Sequence, residues 1–123
     1  DIDICNATVV LCGITFKENV PDIRNSKVVE LYKELESFGI SLVVYDPIAN
    51  PEDMMHEYGI TLAKKDGLPK ADAVIFAVPH TEFVTYSTKD ILRTVKSGGL
   101  VADIKRMCNK KEIEDAGLHY WGM

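Results

Sequence analysis

The chain has 123 residues, of which 46% are hydrophobic and 27% charged, and a net charge of -5 at neutral pH. This length suits a single domain, and no apolar run approaches the roughly 20 residues that a membrane span needs. The acidic balance argues against nucleic acid as a partner, because phosphate neutralisation needs a surplus of Lys and Arg. We therefore expect a globular domain that binds neither membranes nor nucleic acids.

The cysteine content and the first ten residues indicate the cellular compartment of the protein. Cys5, Cys12 and Cys108 are odd in number and lack the C-x-x-C spacing of zinc sites, so we expect free thiols and no metal site. The opening DIDICNATVV lacks the basic flank and apolar segment of a secretory signal. Both observations favour the cytoplasm.

The first third of the chain predicts a strand followed by a helix. Residues 7–13 form a short β-branched run closed by glycine, which is typical of a strand buried on both faces. Residues 25–38 carry apolar side chains at helical spacing. Asn25 or Ser26 is the candidate N-cap of that helix, and Gly39 is its expected end.

The middle of the chain predicts two further strands. Residues 40–47 indicate a second strand that ends in a turn at Asp46. Residues 51–58 favour a short helix, and residues 59–63 a minor strand. The nearly continuous apolar run 71–79 predicts a central strand that ends at a proline.

The last third repeats the alternation. Residues 88–95 have helical or turn character, 98–104 predict a strand, 110–116 a short helix and 118–122 a final strand. Strands that alternate with helices through short loops predict a doubly wound, Rossmann-like α/β domain. We expect a mostly parallel sheet with helices on both faces.

Four cations follow strands of this predicted sheet. Lys17 and Arg24 come after the first strand, and Lys105 and Arg106 come after the strand 98–104. Ligands of open α/β sheets bind beyond the carboxyl ends of the strands, and Arg and Lys suit an anion with several oxygens. The pattern favours a diphosphate. Its alternative is a solvated loop whose cations pair with nearby acids, since surface ion pairs are common and weak.

The same loop does not encode a complete dinucleotide site. A Rossmann fingerprint reads G-x-G-x-x-G after the first strand, whereas this chain reads GITFKE from Gly13. One glycine does not let the backbone wrap a pyrophosphate. Asp46 stands where an acid holds the ribose of a dinucleotide, but without the glycines we assign it a structural role in the turn.

Three segments together resemble a known family. They are GITFKENVPDIRNSKVVELYKEL, VVYDP and ADAVIFAVPHTEF, which span most of the chain. They resemble the C-terminal domain of the NAD-dependent nucleotide-sugar 6-dehydrogenases, the UDP-glucose and GDP-mannose dehydrogenase family. The resemblance implies that residues 1–123 are the UDP-sugar-binding domain of such an enzyme, without its N-terminal NAD domain and linker helix.

The resemblance also implies an activity. Members of the family oxidise the C6 alcohol of a nucleotide sugar to a carboxylate with two molecules of NAD, through a thiohemiacetal on a cysteine. The family motif around that cysteine is absent here, so none of the three cysteines is assigned a catalytic role. Cys108 is the alternative candidate, because Lys105 and Arg106 lie close in sequence and nearby cations lower the pKa of a thiol.

Site residues follow from the resemblance by position. Phe16 and Lys17 match the family pair that contacts the nucleotide sugar, with ordinary core packing as the alternative for Phe16. Arg24 matches the arginine of D-x-R, which lies near the NAD phosphates. Lys105, two residues after Asp103, is expected to reach the substrate, with Arg106 or a purely solvated role as alternatives.

Other polar residues are expected to be structural. Asp22 and Ser26 are expected to orient the loop and cap the helix, and His80 is assigned no partner. The loop spelling resembles members acting on UDP-N-acetylhexosamines for bacterial capsule or O-antigen precursors more than UDP-glucose enzymes. We expect the complete enzyme to form a homodimer or a larger homo-oligomer. The sequence does not distinguish NAD from NADP as its cofactor.

Two other functions compete with this one. A non-catalytic nucleotide-binding or regulatory module would share the fold and the cations without the chemistry. A phosphoacceptor receiver domain is also doubly wound, but it needs adjacent carboxylates after the first strand, where this chain has Gly13, Ile14 and Thr15. The resemblance therefore favours the dehydrogenase domain.

Overall fold

A computed structural model describes residues 7–24 and 26–122, and these form one parallel sheet of five strands. The strand order is β2-β1-β3-β4-β5, and every ladder between neighbours is parallel. The strands are β1 (Thr8–Cys12), β2 (Ser41–Tyr45), β3 (Ala71–Phe76), β4 (Val95–Asp103) and β5 (His119–Gly122). The predicted α/β class, its parallel sheet and the central place of the third strand are confirmed.

Helices connect the strands and cover both faces. They are α1 (Lys27–Ser37), α2 (Pro51–Tyr58), α3 (Thr81–Val84), α4 (Thr88–Leu92) and α5 (Lys110–Asp115), with one turn of 3-10 helix at Lys65–Gly67. Among the described residues, no helix combines the length and apolar character that crossing a lipid bilayer requires.

Two buried clusters sandwich the sheet. Val29 of α1 and Met54 of α2 pack with Leu11 and Val44 on one face. On the opposite face the helices α3, α4 and α5 contribute buried Phe83, Ile91 and Ile113, which pack with strand residues Val10, Val74, Phe76 and Val101. Strands buried on both faces read as continuous apolar runs, which is why their pattern was visible in the sequence.

Some elements differ from the prediction. The segment 59–63 makes only a single bridge, Leu62 to Val44, and is not a strand of the sheet. Strand β4 begins at Val95 and not at residue 98, and its register with β3 shifts between the pairs Ala71–Val95 and Ala73–Leu100. Gly98 and Gly99 lie inside this strand, and because glycine is depleted in regular strands and marks bulges, the sequence pattern placed the start of the strand too late. The short helix α3 was not predicted at all.

The start of α1 also differs. Ser26 occupies the N-cap position, but its side chain makes no capping hydrogen bond to the helix. Its Oγ instead donates to the carbonyl oxygen of Ile14 at 2.7 Å, which ties the helix start to the loop after β1. The predicted N-cap position of Ser26 is therefore confirmed, although its side chain does not cap the helix, and Asn25 lies outside the described residues.

Candidate functional site

A cleft opens where the direction of the chain across the sheet reverses. Strands β1 and β3 are neighbours, but the chain continues from β1 to β2 on one side of this pair and from β3 to β4 on the other. The loops after β1 and β3 therefore diverge at the carboxyl edge of the sheet. Open α/β sheets bind ligands at such a reversal point. A cavity of about 380 Å³ lies here, lined by Phe16, Lys17, Glu18, Lys27, Val28, Leu31, Ala77, Val78, Pro79, Ile104 and Lys105.

Three lysines line this cleft. Lys17 comes from the loop after β1, Lys105 from the turn after β4, and Lys27 is the first residue of α1. The first two were predicted to converge, and they share one cavity. Lys27 was missed, although its place at a helix start beside the predicted loop was the signal. Among the residues that the structure describes, Glu18 is the only acid that lines the cleft, so these residues give it a net positive lining.

The floor of the cleft is apolar and its rim carries an aromatic ring. Val28, Leu31, Val78 and Ile104 contribute apolar surface. Phe16 is 55% exposed, so it does not pack in the core, which was the alternative for this residue. An exposed ring beside an apolar floor can stack on a planar group such as a base.

Arg24 lies apart from the three lysines. Its Nε donates to Asp22 Oδ1 at 3.1 Å, and this contact lowers the pKa of the Asp22 carboxyl. Arg24 lines a different cavity of about 390 Å³, whose other residues are Val20, Pro21, Asp22, Ile23, Asp53, His56 and Glu57. Three acids line that cavity beside Arg24, so it lacks the net positive lining of the lysine cleft. The predicted convergence of four cations therefore holds for Lys17 and Lys105, but Arg24 and Arg106 do not line the same cavity.

Buried Asp46 organises the loops at this edge. Its carboxylate accepts hydrogen bonds from the backbone N–H groups of Ile14, Thr15, Ile48 and Ala49 at 2.7 to 3.3 Å. His80 Nε2 lies 2.9 Å from Asp46 Oδ2, and both side chains are fully buried. Burial by itself raises the pKa of the Asp46 carboxyl, but hydrogen bonds from His80 and the backbone outweigh it and hold that pKa below its usual value.

Asp103 plays the same part on the other side of the cleft. It is fully buried and accepts from the N–H groups of Met107 and Cys108, at 2.9 and 2.8 Å. The hydroxyl of Tyr120 on β5 donates to the same carboxylate at 2.8 Å. These bonds close the turn that presents Lys105. Arg106, the alternative to Lys105, is exposed and has a left-handed φ of 54°.

Residues 10–110 match the sequence profile described as "UDP-glucose/GDP-mannose dehydrogenase family, UDP binding domain". The chain belongs to this family. A UDP-N-acetyl-D-glucosamine 6-dehydrogenase of Pseudomonas aeruginosa is 39% identical over 92% of this chain, and Protein CapL of Staphylococcus aureus is 38% identical over 91%. The chain spans about a quarter of those proteins, 27% and 26% of their lengths.

Solved structures share the fold of this UDP-binding domain. An NDP-N-acetyl-D-galactosaminuronic acid dehydrogenase from Methanosarcina mazei superposes with a TM-score of 0.85 over 97% of this chain and 25% of that one, at 18% identity. A UDP-D-ManNAc dehydrogenase from Pyrococcus horikoshii gives 0.77 over 98% and 26%, also at 18% identity. The family match sets aside the receiver-domain alternative.

The loop after β1 of the UDP-binding domain lacks the glycine-rich motif with which a Rossmann domain holds a dinucleotide. Gly13 ends β1 with a φ of 98°, and a Cβ added there would meet Val78 Cβ at 2.7 Å. The close packing of the chain after β1 against the segment after β3 thus requires glycine at this position. Asp46, at the place of a ribose-binding acid, is buried and engaged by backbone N–H groups. Gly13 and Asp46 therefore do not form the dinucleotide site of a Rossmann domain.

The described cysteines of the UDP-binding domain are poor nucleophiles. Burial, the charge of Asp103 and a hydrogen bond to Asp103 raise the pKa of the Cys108 thiol to about 12. Burial, followed by the charges of Glu82 and Asp46, raises the pKa of Cys12. The cations near Cys108 in the sequence do not lower its pKa, because Asp103 lies closer in space. Cys5 lies outside the described residues.

Proposed function

We propose that this chain is the C-terminal, UDP-sugar-binding domain of an NAD-dependent UDP-sugar 6-dehydrogenase. The observation that carries the proposal is the cleft at the reversal point, which combines three lysines, an exposed phenylalanine and an apolar floor. The family match and its named relatives support it. The complete enzyme oxidises the C6 alcohol of the sugar to a carboxylate in the cytoplasm and is a homodimer or higher.

Each part of the cleft has a chemical role in this proposal. Lys17 and Lys105 neutralise the diphosphate, and Lys27 adds charge at the start of α1, where free backbone N–H groups favour anions. Phe16 stacks on the uracil base or the sugar ring. The apolar floor excludes water, which strengthens the contacts between the lysines and the phosphates.

The preferred substrate is a UDP-N-acetylhexosamine rather than UDP-glucose. Support comes from the names of relatives, since two of them at 39% and 34% identity are UDP-N-acetyl-D-glucosamine 6-dehydrogenases. The product then serves as a precursor of a bacterial surface polysaccharide, such as capsule or O-antigen. NAD binds mainly to the N-terminal domain. Arg24, which is exposed and lies apart from the three lysines, contacts the phosphates of NAD across the cleft between the two domains.

Lysine substitutions in the complete enzyme test the proposal. Lys17→Ala and Lys105→Ala should each raise the KM for the UDP-sugar roughly tenfold to a hundredfold, since a hydrogen bond to a charged group contributes about 1.5–3 kcal/mol. Steady-state NADH production measures this. Arg24→Ala should instead raise the KM for NAD.

Lys89→Ala is the matched control, because Lys89 is an exposed lysine on α4, on the opposite face of the sheet. It should leave both KM values unchanged. If neither Lys17→Ala nor Lys105→Ala changes the KM for the UDP-sugar, the cleft is not the nucleotide-sugar site.

A further inference from the structure

His80 connects the loops after β1, β2 and β3, a role that its sequence position did not predict. It follows β3 at the start of α3 and is fully buried. Its Nε2 faces Asp46 after β2 and lies 3.2 Å from Thr15 Oγ1 in the loop after β1. Its Nδ1 accepts the backbone N–H of Asn19 at 2.9 Å.

These partners determine where the imidazole carries its proton. Nδ1 accepts from an N–H group, so it bears no hydrogen, and the single proton of the neutral ring sits on Nε2. That proton points at Asp46 Oδ2, while the Thr15 hydroxyl donates to the carbonyl oxygen of Lys17 at 2.9 Å. A proton on Nδ1 would set two N–H groups against each other at Asn19.

The contact at Asn19 is reciprocal. The side-chain oxygen of Asn19 accepts the N–H of Thr81, the residue after His80, at 3.0 Å. Asn19 holds a left-handed φ of 61°, which is uncommon for a residue other than glycine. Two hydrogen bonds therefore clamp the tip of the loop to the start of α3, two residues beyond Lys17.

We propose that His80 is a positioning residue for nucleotide-sugar binding, which holds the loop carrying Phe16 and Lys17 through its unprotonated Nδ1 and the N–H of Asn19. This inference rests on the proposed function. Both cleft residues are exposed, so few contacts of their own side chains fix them. The buried imidazole holds the loop on both sides of the pair. Before the pair it donates to Asp46, which accepts the N–H of Thr15, and after the pair it accepts the N–H of Asn19.

Two amide substitutions separate this role from mere core packing. The oxygen of Asn in His80→Asn falls near the position of Nδ1 and can accept the Asn19 N–H, whereas Gln in His80→Gln reaches the position of Nε2 and leaves that N–H without its acceptor. In the complete enzyme, His80→Gln should raise the KM for the UDP-sugar at least tenfold, with a smaller effect on kcat. His80→Asn should stay within about threefold of wild type.

Equal KM values for the two variants, or a larger increase for His80→Asn, would overturn the proposal. A second measurement does not depend on any variant or on activity. Long-range ¹H–¹⁵N correlation spectra of the ¹⁵N-labelled 123-residue chain should show His80 as the Nε2–H tautomer at neutral pH. A proton on Nδ1 would contradict the anchor at Asn19.

The two measurements distinguish failure of this inference from failure of the proposed function. If the complete wild-type enzyme does not oxidise UDP-sugars, the proposed function fails. The tautomer of His80 in the chain still decides whether the anchor exists. If the enzyme is active and the tautomer or the KM pattern is wrong, only the role of His80 fails.

Discussion

Single buried carboxylates hold the residues of this cleft in place. Asp46 has a fully buried side chain and accepts from four backbone N–H groups as well as from His80. Each of those N–H groups would otherwise need another partner, because an unsatisfied buried donor costs about 1–3 kcal/mol. One side chain therefore orders the turns after β1 and β2 together.

The lowered pKa of Asp46 predicts a pH-dependent stability. Because the folded-state pKa lies below the unfolded value of about 3.9, the charged carboxylate stabilises the fold fully above about pH 4. That contribution is lost as the pH falls through the lower folded-state pKa. Asp46→Asn should lower the free energy of unfolding by roughly 2 to 3 kcal/mol at pH 7, and by less at pH 3.

Urea denaturation of wild type and variant at pH 7, 5 and 3 measures this difference. Asp115→Asn is the control, since Asp115 is exposed at the end of α5 and should cost little at any pH. A difference between wild type and Asp46→Asn that stays constant or grows on acidification would contradict the role assigned to the Asp46 charge.

At the scale of elements, the edge strand β5 supports the turn after β4. Tyr120 of β5 donates its hydroxyl to Asp103, which in turn accepts the N–H groups of Met107 and Cys108. Burial and Asp103 raise the pKa of the Tyr120 phenol to about 12, so it remains a donor at physiological pH. A strand that contributes no residue to the cleft thus helps to place Lys105.

Removing that hydroxyl should loosen the turn. Tyr120→Phe is expected to lower the free energy of unfolding by about 1–2 kcal/mol, the loss of one hydrogen bond to a charged group. Amide hydrogen exchange at Met107 and Cys108 should become faster. Mass spectrometry or NMR of the chain measures the exchange.

Tyr58→Phe is the matched control for that experiment. The hydroxyl of Tyr58 donates to the carbonyl oxygen of Ile23 at 2.8 Å, on the other side of the cleft. Its loss should leave exchange at Met107 and Cys108 unchanged. Unchanged exchange in Tyr120→Phe as well would show that Asp103 holds the turn without help from β5.

At the scale of the whole molecule, the domain offers a binding cleft without the chemistry. The loop after β1 lacks the glycine-rich motif of a dinucleotide site, and the Asp46 carboxylate is engaged by backbone N–H groups. The thiols of Cys12 and Cys108 have raised pKa values. These observations support the proposal that binding and oxidation belong to different parts of the enzyme.

This division predicts the behaviour of the chain by itself. The 123-residue chain should bind UDP-N-acetylglucosamine, as measured by calorimetry, yet form no NADH when NAD is added. The complete enzyme under the same conditions should form NADH, as followed by its absorbance. NADH formation by the chain alone would contradict the assignment of hydride transfer to another domain.

The residue pattern alone determined the class of the fold and the place of the cleft. Buried parallel strands are apolar along their whole length, so the order of the five strands along the chain and their carboxyl ends can be read without coordinates. The weaker pattern at 59–63, in contrast, wrongly predicted a sixth strand. The cations after those ends identified Lys17 and Lys105 as neighbours. The motif around Phe16 and Lys17 also identified the family.

Only the tertiary structure decided which polar residues act together. Arg24 shares a loop with Lys17 yet faces another cavity, because its guanidinium pairs with Asp22. His80 contacts Asn19, which is 61 residues away in the chain. Such contacts depend on how loops from separate strands meet, and a local sequence pattern carries no information about the distance between two loop tips.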